Sequence, residues 1–139
     1  MRAKLREIAE LSGSDPKGAL WESLGGTVDH VTPKPYELIV GTYIRPEQTK
    51  GGIFIPDRTL TEDRFQGKVG LVLKLGEFCF EDDAKAKWGS FKPAVGDWVI
   101  YRASDSWEVF LGDGREGTSC RFVHESNIVG LTDNPELVF

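Results

Sequence analysis

Cysteine and histidine are nearly missing from this chain of 139 residues, which has only Cys79, Cys120, His30 and His124. Two cysteines outside any CxxC pair make neither a disulfide framework nor a zinc site, so both read as buried or free thiols. The histidines lie far apart, with no HExxH and no His/Cys cluster near either, so no metal ligand is expected. An excess of basic charge is also missing. Lys and Arg total 17 against 22 Asp and Glu, giving a net charge of −5 and a pI near 5.1. That leaves no footprint for phosphate-backbone binding, and nucleic acid is not an expected partner. No uncharged apolar run approaches the roughly 18 residues of a membrane-spanning helix. The N-terminal MRAKLREIAELSGSD carries charges where a signal peptide has its apolar region. A soluble, cytoplasmic protein with no membrane partner is the expectation.

Catalytic signatures are equally scarce. There is no GxSxG elbow, and Ser119 and Cys120 fall in an apparent strand. No GxxxxGK or GxGxxG occurs, and Gly112, Gly114 and Gly117 follow a hairpin rather than opening a helix. The acidic run Glu81-Asp82-Asp83 lacks the alternating register of a calcium loop and reads as solvated charge. The expectation is a protein that is not an enzyme and takes no cofactor or metal.

What is present is one domain's worth of globular sequence. Apolar residues make up 40%, and 16 glycines bring the share to about half. Residues 1–34 carry two short helical patterns broken by GSDP and GG, and read as an N-terminal helical arm. In the first, Leu5, Ile8 and Leu11 form a narrow apolar stripe. In the second, Asp15 caps a helix that has Pro16 at its first position, Ala19, Leu20 and Leu24 share a face, and Gly25-Gly26 ends it. From Tyr36 onward the period changes to two and the punctuation to Gly, Pro and Asp. Strands are predicted at 37–44, 67–75, 97–102, 106–111, 119–124 and 127–131, with GDG at 112–114 as a hairpin turn. Six short strands predict an all-β body of the small-barrel type.

The segment from Thr49 to Gly67 stands apart, because Ile53, Phe54 and Ile55 sit inside a stretch bounded by Gly, Pro and charge. Two readings fit. In one it is a strand whose Ile53 and Ile55 face the core while Phe54 covers a neighbouring subunit. In the other, Gly51 and Gly52 hinge a recognition segment whose three apolar side chains dock in a partner's groove. Burying three such side chains is worth roughly 4 to 9 kcal/mol, while ordering five flexible residues costs about 5 to 10 kcal/mol. A single copy therefore binds weakly, and several copies on one symmetric oligomer bind well through high effective concentration.

In order, ELIVGTYIRPEQTKGGIFIPD, QGKVGLVLKLG, VGDWVIYR and RFVHESNIVGLT resemble four successive motifs of the GroES-type co-chaperonins, in the divergent versions carried by tailed phages. The resemblance covers about residues 36–131. It implies a small irregular GroES-like β-barrel over residues 35–131 with a mobile loop at 45–66, assembled as a sevenfold homo-oligomeric ring. The partner-binding residues it implies are Gly51, Gly52, Ile53, Phe54, Ile55 and Pro56. The implied activity is capping a GroEL-type chaperonin in the host cytoplasm when nucleotide is bound, to help a phage capsid protein fold.

Three features depart from that family's pattern. Residues 1–34 precede the first motif, and the Pro33-Lys34-Pro35 run restricts pairing with a neighbour's closing strand. The stretch from Gly76 to Pro93 is long and carries Phe78, Phe80, Trp88 and Phe91, suited to a core or an interface. Residues 132–139 form a C-terminal tail ending in Leu137, Val138 and Phe139. Arms at both ends suit a protein laced into a lattice, which gives a second expectation: a virion capsid cement or decoration protein built on the same barrel. Its partner would be a major capsid protein lattice, with Leu5, Ile8, Trp21, Leu137, Val138 and Phe139 as secondary contacts.

Overall fold

The computed structural model describes residues 16–44, 68–81, 87–112 and 117–138. The six predicted strands are all present: β1 (Glu37–Thr42), β2 (Val69–Leu75), β3 (Trp98–Tyr101), β4 (Trp107–Leu111), β5 (Thr118–His124) and β6 (Ile128–Thr132). They form one mixed-sequence, wholly antiparallel sheet in the order β4-β5-β1-β2-β3-β6. The sheet is not closed, since β4 and β6 are its two edges and do not pair with each other. Among the described residues the one α-helix is α1 (Pro16–Leu24). The protein is therefore mostly β.

The sheet curls. In a flat sheet β3 and β4 would lie about 19 Å apart, four spacings of about 4.8 Å. Only residues 102–106 join them, and Ala103–Asp105 is wound into a 3-10 turn, so the connection reaches about 16 Å. Hydrogen bonds fasten this corner to other parts of the sheet: Arg102 N–H to the carbonyl of Asn127, in the turn before β6, at 3.0 Å, and the Arg121 guanidinium on β5 to the Ser106 hydroxyl at 2.9 Å. Bulges between Ile39 and Val40 in β1, and between Ile100 and Tyr101 in β3, add the local bending that a curled sheet requires.

Alternation along the strands feeds two cores. On one face Ile39, Tyr43, Leu71, Leu73, Trp98 and Cys120 pack under Leu20, Leu24 and Val28. The helix sits close because Gly41 has no side chain: a Cβ there would meet Leu73 at 3.4 Å and Leu20 at 3.6 Å. α1 stops where predicted, at Gly25 and Gly26, whose φ values of 57° and 83° are left-handed. Its last carbonyls are taken by side-chain hydroxyls, Ser23 on Leu20 at 2.9 Å and Thr27 on Leu24 at 2.6 Å. Ser23 also hydrogen-bonds Thr118 of β5. The segment expected as the second half of an arm, residues 16–30, is thus a cover for the sheet. Its three-residue stripe is too short to say from sequence what it packs against.

On the other face Leu38, Val40, Val72, Val99, Tyr101, Val123 and Ile128 are covered by the stretch after β2. The four aromatics there divide. Phe80, Trp88 and Phe91 pack together, Phe80 edge-on to both rings at centroid distances of 5.0 and 6.3 Å. Phe78 instead lies outside, against exposed Tyr36 at 5.9 Å. The turn into this stretch is made at Gly76, where a Cβ would lie 2.1 Å from the Lys34 carbonyl oxygen and 2.5 Å from that of Glu37.

These positions predict unequal glycine costs. Gly76→Ala meets backbone that has no flexible end to yield, and should lower unfolding stability by about 3 kcal/mol or more. Gly25→Ala meets nothing within 4 Å and should cost only about 1 to 2 kcal/mol from its left-handed backbone. Urea denaturation of the two variants checks the ranking, and equal losses would contradict it. A Leu24→Ala variant, emptying a side chain that is 1% exposed, should lose about 2 to 5 kcal/mol.

Candidate functional site

β1 and β2 are hydrogen-bonded neighbours, with Thr42 opposite Gly70 and the Tyr43 N–H bonded to the Val69 carbonyl at 3.0 Å. Two residues suffice to join such a pair, yet here the whole segment from 44 to 68 intervenes. The fold does not require that length. Long connections in compact domains are commonly functional, and this one contains Gly51, Gly52, Ile53, Phe54, Ile55 and Pro56. Those six residues lie outside the described ones, as does the whole of the expected mobile loop at 45–66; the residues that flank it, its base, are described.

The base itself is firmly held from both sides of the sheet. Tyr43 is buried in the first core, edge-on to Trp98 at 5.5 Å. Thr42 turns to the other face, where the Ser119 hydroxyl lies 3.4 Å away. On the returning strand, Gly70 lets β2 approach so closely that a Cβ would be 2.8 Å from that of Val40 and 3.1 Å from the Tyr101 ring. The segment between the two strands therefore departs from a rigid platform.

Beside that base lies a polar cluster that the sequence pattern did not single out. Ser119 donates to Glu108 Oε2 at 2.8 Å, and Arg121 reaches the same carboxylate at 3.9 Å and the Ser106 hydroxyl at 2.9 Å. Arg121 is 5% exposed. Burial pushes the Tyr101 phenol up to about 12, against the opposing pull of the Arg121 guanidinium. The signal available in the sequence was only an Arg and a Glu in two strands that pair, Glu108 opposite Arg121, which an exposed cross-strand pair would share. Ser119 itself is a buried, hydrogen-bonded residue of β5.

Trp21 is exposed on α1, and Leu137 is 72% exposed. Val138 packs partly buried on the first core, and Leu5, Ile8 and Phe139 are outside the described residues. Both histidines are exposed. His124 Nδ1 accepts the Ser126 N–H at 3.1 Å, capping the turn into β6. Among the described residues no group of three or more His, Cys, Asp or Glu side chains is arranged to hold a metal ion. An open cleft of about 340 Å³ is lined by Lys17, Asp97, Trp98, Leu131, Thr132 and Asp133, but Asp97 is already engaged by the Ala94 N–H at 2.9 Å. Both sheet edges carry exposed apolar side chains, Trp107 on β4 and Val129 and Leu131 on β6.

No protein-family model matches the chain, and no curated protein matches it. Among the described residues no helix is long and apolar enough to cross a membrane.

The two thiols are chemically quiet. Desolvation raises Cys79 from 9.0 to about 11 and Cys120 from 9.0 to about 12. At pH 8 the Cys120 thiolate is thus rarer in the folded than in the unfolded chain by a factor on the order of a thousand. Alkylation by iodoacetamide should be slowed accordingly in the native protein and become fast in urea. Because the folded-state values are raised, no stability is lost below pH 9. Between pH 9 and 12 the unfolded thiol ionises first and stability falls. Cys120→Ala should flatten that decline, measured by urea midpoints across the range.

Proposed function

We propose that this protein is a GroES-like co-chaperonin that caps a GroEL-type chaperonin through the segment joining β1 and β2. The observation carrying this reading is the length and content of that connection: a long stretch with a Gly-Gly pair before Ile53-Phe54-Ile55, on a base pinned into both cores by Thr42 and Tyr43. A rigid base carrying a long segment with an apolar tripeptide is what weak, repeated docking uses. Each copy contributes little net free energy alone, and several on one ring bind together.

The finer fold belongs to the same proposal. Six short antiparallel strands, two bulges and the tight β3–β4 corner favour a small barrel in which β4 and β6 come near each other. The resemblance of the four sequence motifs points the same way, and adds the ring of seven, the host cytoplasm as site of action and a phage capsid protein as the folding substrate. The lattice alternative, a virion cement protein, drew on arms at both ends. Part of that motive is spent inside the molecule, because Leu20, Leu24 and Val138 pack on the chain's own sheet.

Light scattering on the purified chain, with GroEL and ATP then added, tests the reading. A stable ring that moves onto the chaperonin with nucleotide is expected. Phe54→Asp should keep the circular dichroism and thermal midpoint of the parent and reduce ATP-dependent capture at least tenfold, as avidity amplifies the loss at each contact. Unchanged capture by that variant overturns the assigned role. A monomer or trimer that ignores GroEL yet decorates capsid shells, and stops doing so without residues 1–15, would favour the lattice.

A further inference from the structure

Glu125 is 3% exposed at the corner between β5 and β6, and both of its carboxylate oxygens reach the stretch after β2. Oε2 accepts the Phe80 N–H at 2.7 Å. Oε1 faces Lys87 Nζ at 3.9 Å, and the same ammonium lies 5.3 Å over the Trp88 ring. One side chain thus holds two arms of the stretch, residues 76–81 and 87–91. The first arm is further tied to the chain entering β1, by the Phe78 N–H on the Pro35 carbonyl at 2.8 Å and the Cys79 thiol on the Glu37 carbonyl at 3.1 Å.

Phe80 is the one non-glycine residue with positive φ, 59°, among those described. A bulky side chain there is strained and persists only where its surroundings impose it. Two contacts impose it: the buried carboxylate on its N–H, and the Trp88 and Phe91 rings around its own. Neither arm adds a strand to the sheet. Loss of one contact therefore frees the strain that opposes the other, while the six-stranded ladder keeps all its hydrogen bonds.

We propose that these two arms form a strap that opens as a unit, separately from the sheet, and that Glu125 is the clasp that keeps it shut. Opening exposes Phe80, Trp88 and Phe91 together with the apolar side chains beneath them, a surface that the closed protein hides. This holds whether or not the protein caps a chaperonin, because it rests on the second core alone.

Native-state hydrogen exchange on the full chain, in rising but sub-denaturing urea, reads the opening directly. In the parent protein the Phe78, Phe80 and Phe91 amides should exchange through a smaller opening than the β1 and β2 amides do. Glu125→Ala should cut protection of those three amides by about tenfold or more and change β1 and β2 by less than about twofold. Glu125→Gln keeps an oxygen for the Phe80 N–H and removes the charge facing Lys87, so its loss should be smaller and centred on residues 87–91, matching Lys87→Ala. Equal loss of protection in strap and sheet would make them one cooperative unit and overturn the proposal, as would a strap unmoved by Glu125→Ala. If the alanine variant does not fold, the parent's urea dependence and the glutamine variant decide between the same two outcomes.

Discussion

Water reaches β1 from neither side: Leu38, Ile39 and Val40 are all fully buried. A strand in that position requires a cover on each face of the sheet, and the covers come from opposite directions in the chain. α1 and the turn after it lie over Ile39, while the stretch after β2 lies over Leu38 and Val40. Burial of this kind supplies most of a small domain's stability, at roughly 1.5 to 3 kcal/mol for each large apolar side chain. The close approaches at Gly41, Gly70 and Gly76 follow from it, since each cover or neighbouring strand must come near enough to exclude water.

The second core pays for its curl by enclosing charge. Arg121 and Glu125 are buried and Glu108 is half-buried, and each is hydrogen-bonded to a neighbouring segment. Such groups add little net stability compared with apolar residues of the same size, but removing one partner leaves the other uncompensated. They act on geometry. Arg121 and Glu108 tie β4 to β5 and to the β3–β4 corner, where a short connection must cross a wide sheet, and Glu125 ties the aromatic cover to the corner before β6.

Around this scaffold the β1–β2 connection is the segment whose length the fold does not explain. Its ends are anchored as tightly as any part of the molecule, by Tyr43 against Trp98 and by Thr42 beside Ser119. Elsewhere among the described residues both thiols are buried and His124 caps the turn into β6.

Local signals in the sequence were enough to define the strands and the ends of α1. Period-two alternation, Pro16 at the helix start and Gly25-Gly26 at its end act within a few residues, and nothing in the tertiary structure opposes them. Ile53, Phe54 and Ile55 also stand out in the sequence, three bulky apolar residues between glycines and a proline, and they lie outside the described residues. What packs against what was decided by the tertiary structure alone. Residues 16–30 became a cover rather than an arm because Gly41 leaves room for Leu20. Phe78 parted from Phe80, Trp88 and Phe91 because Gly76 turns the chain against residues 34–37. Glu125 became a buried clasp, though its spacing resembles any solvated turn, because the corner before β6 is brought beneath residues far away in sequence.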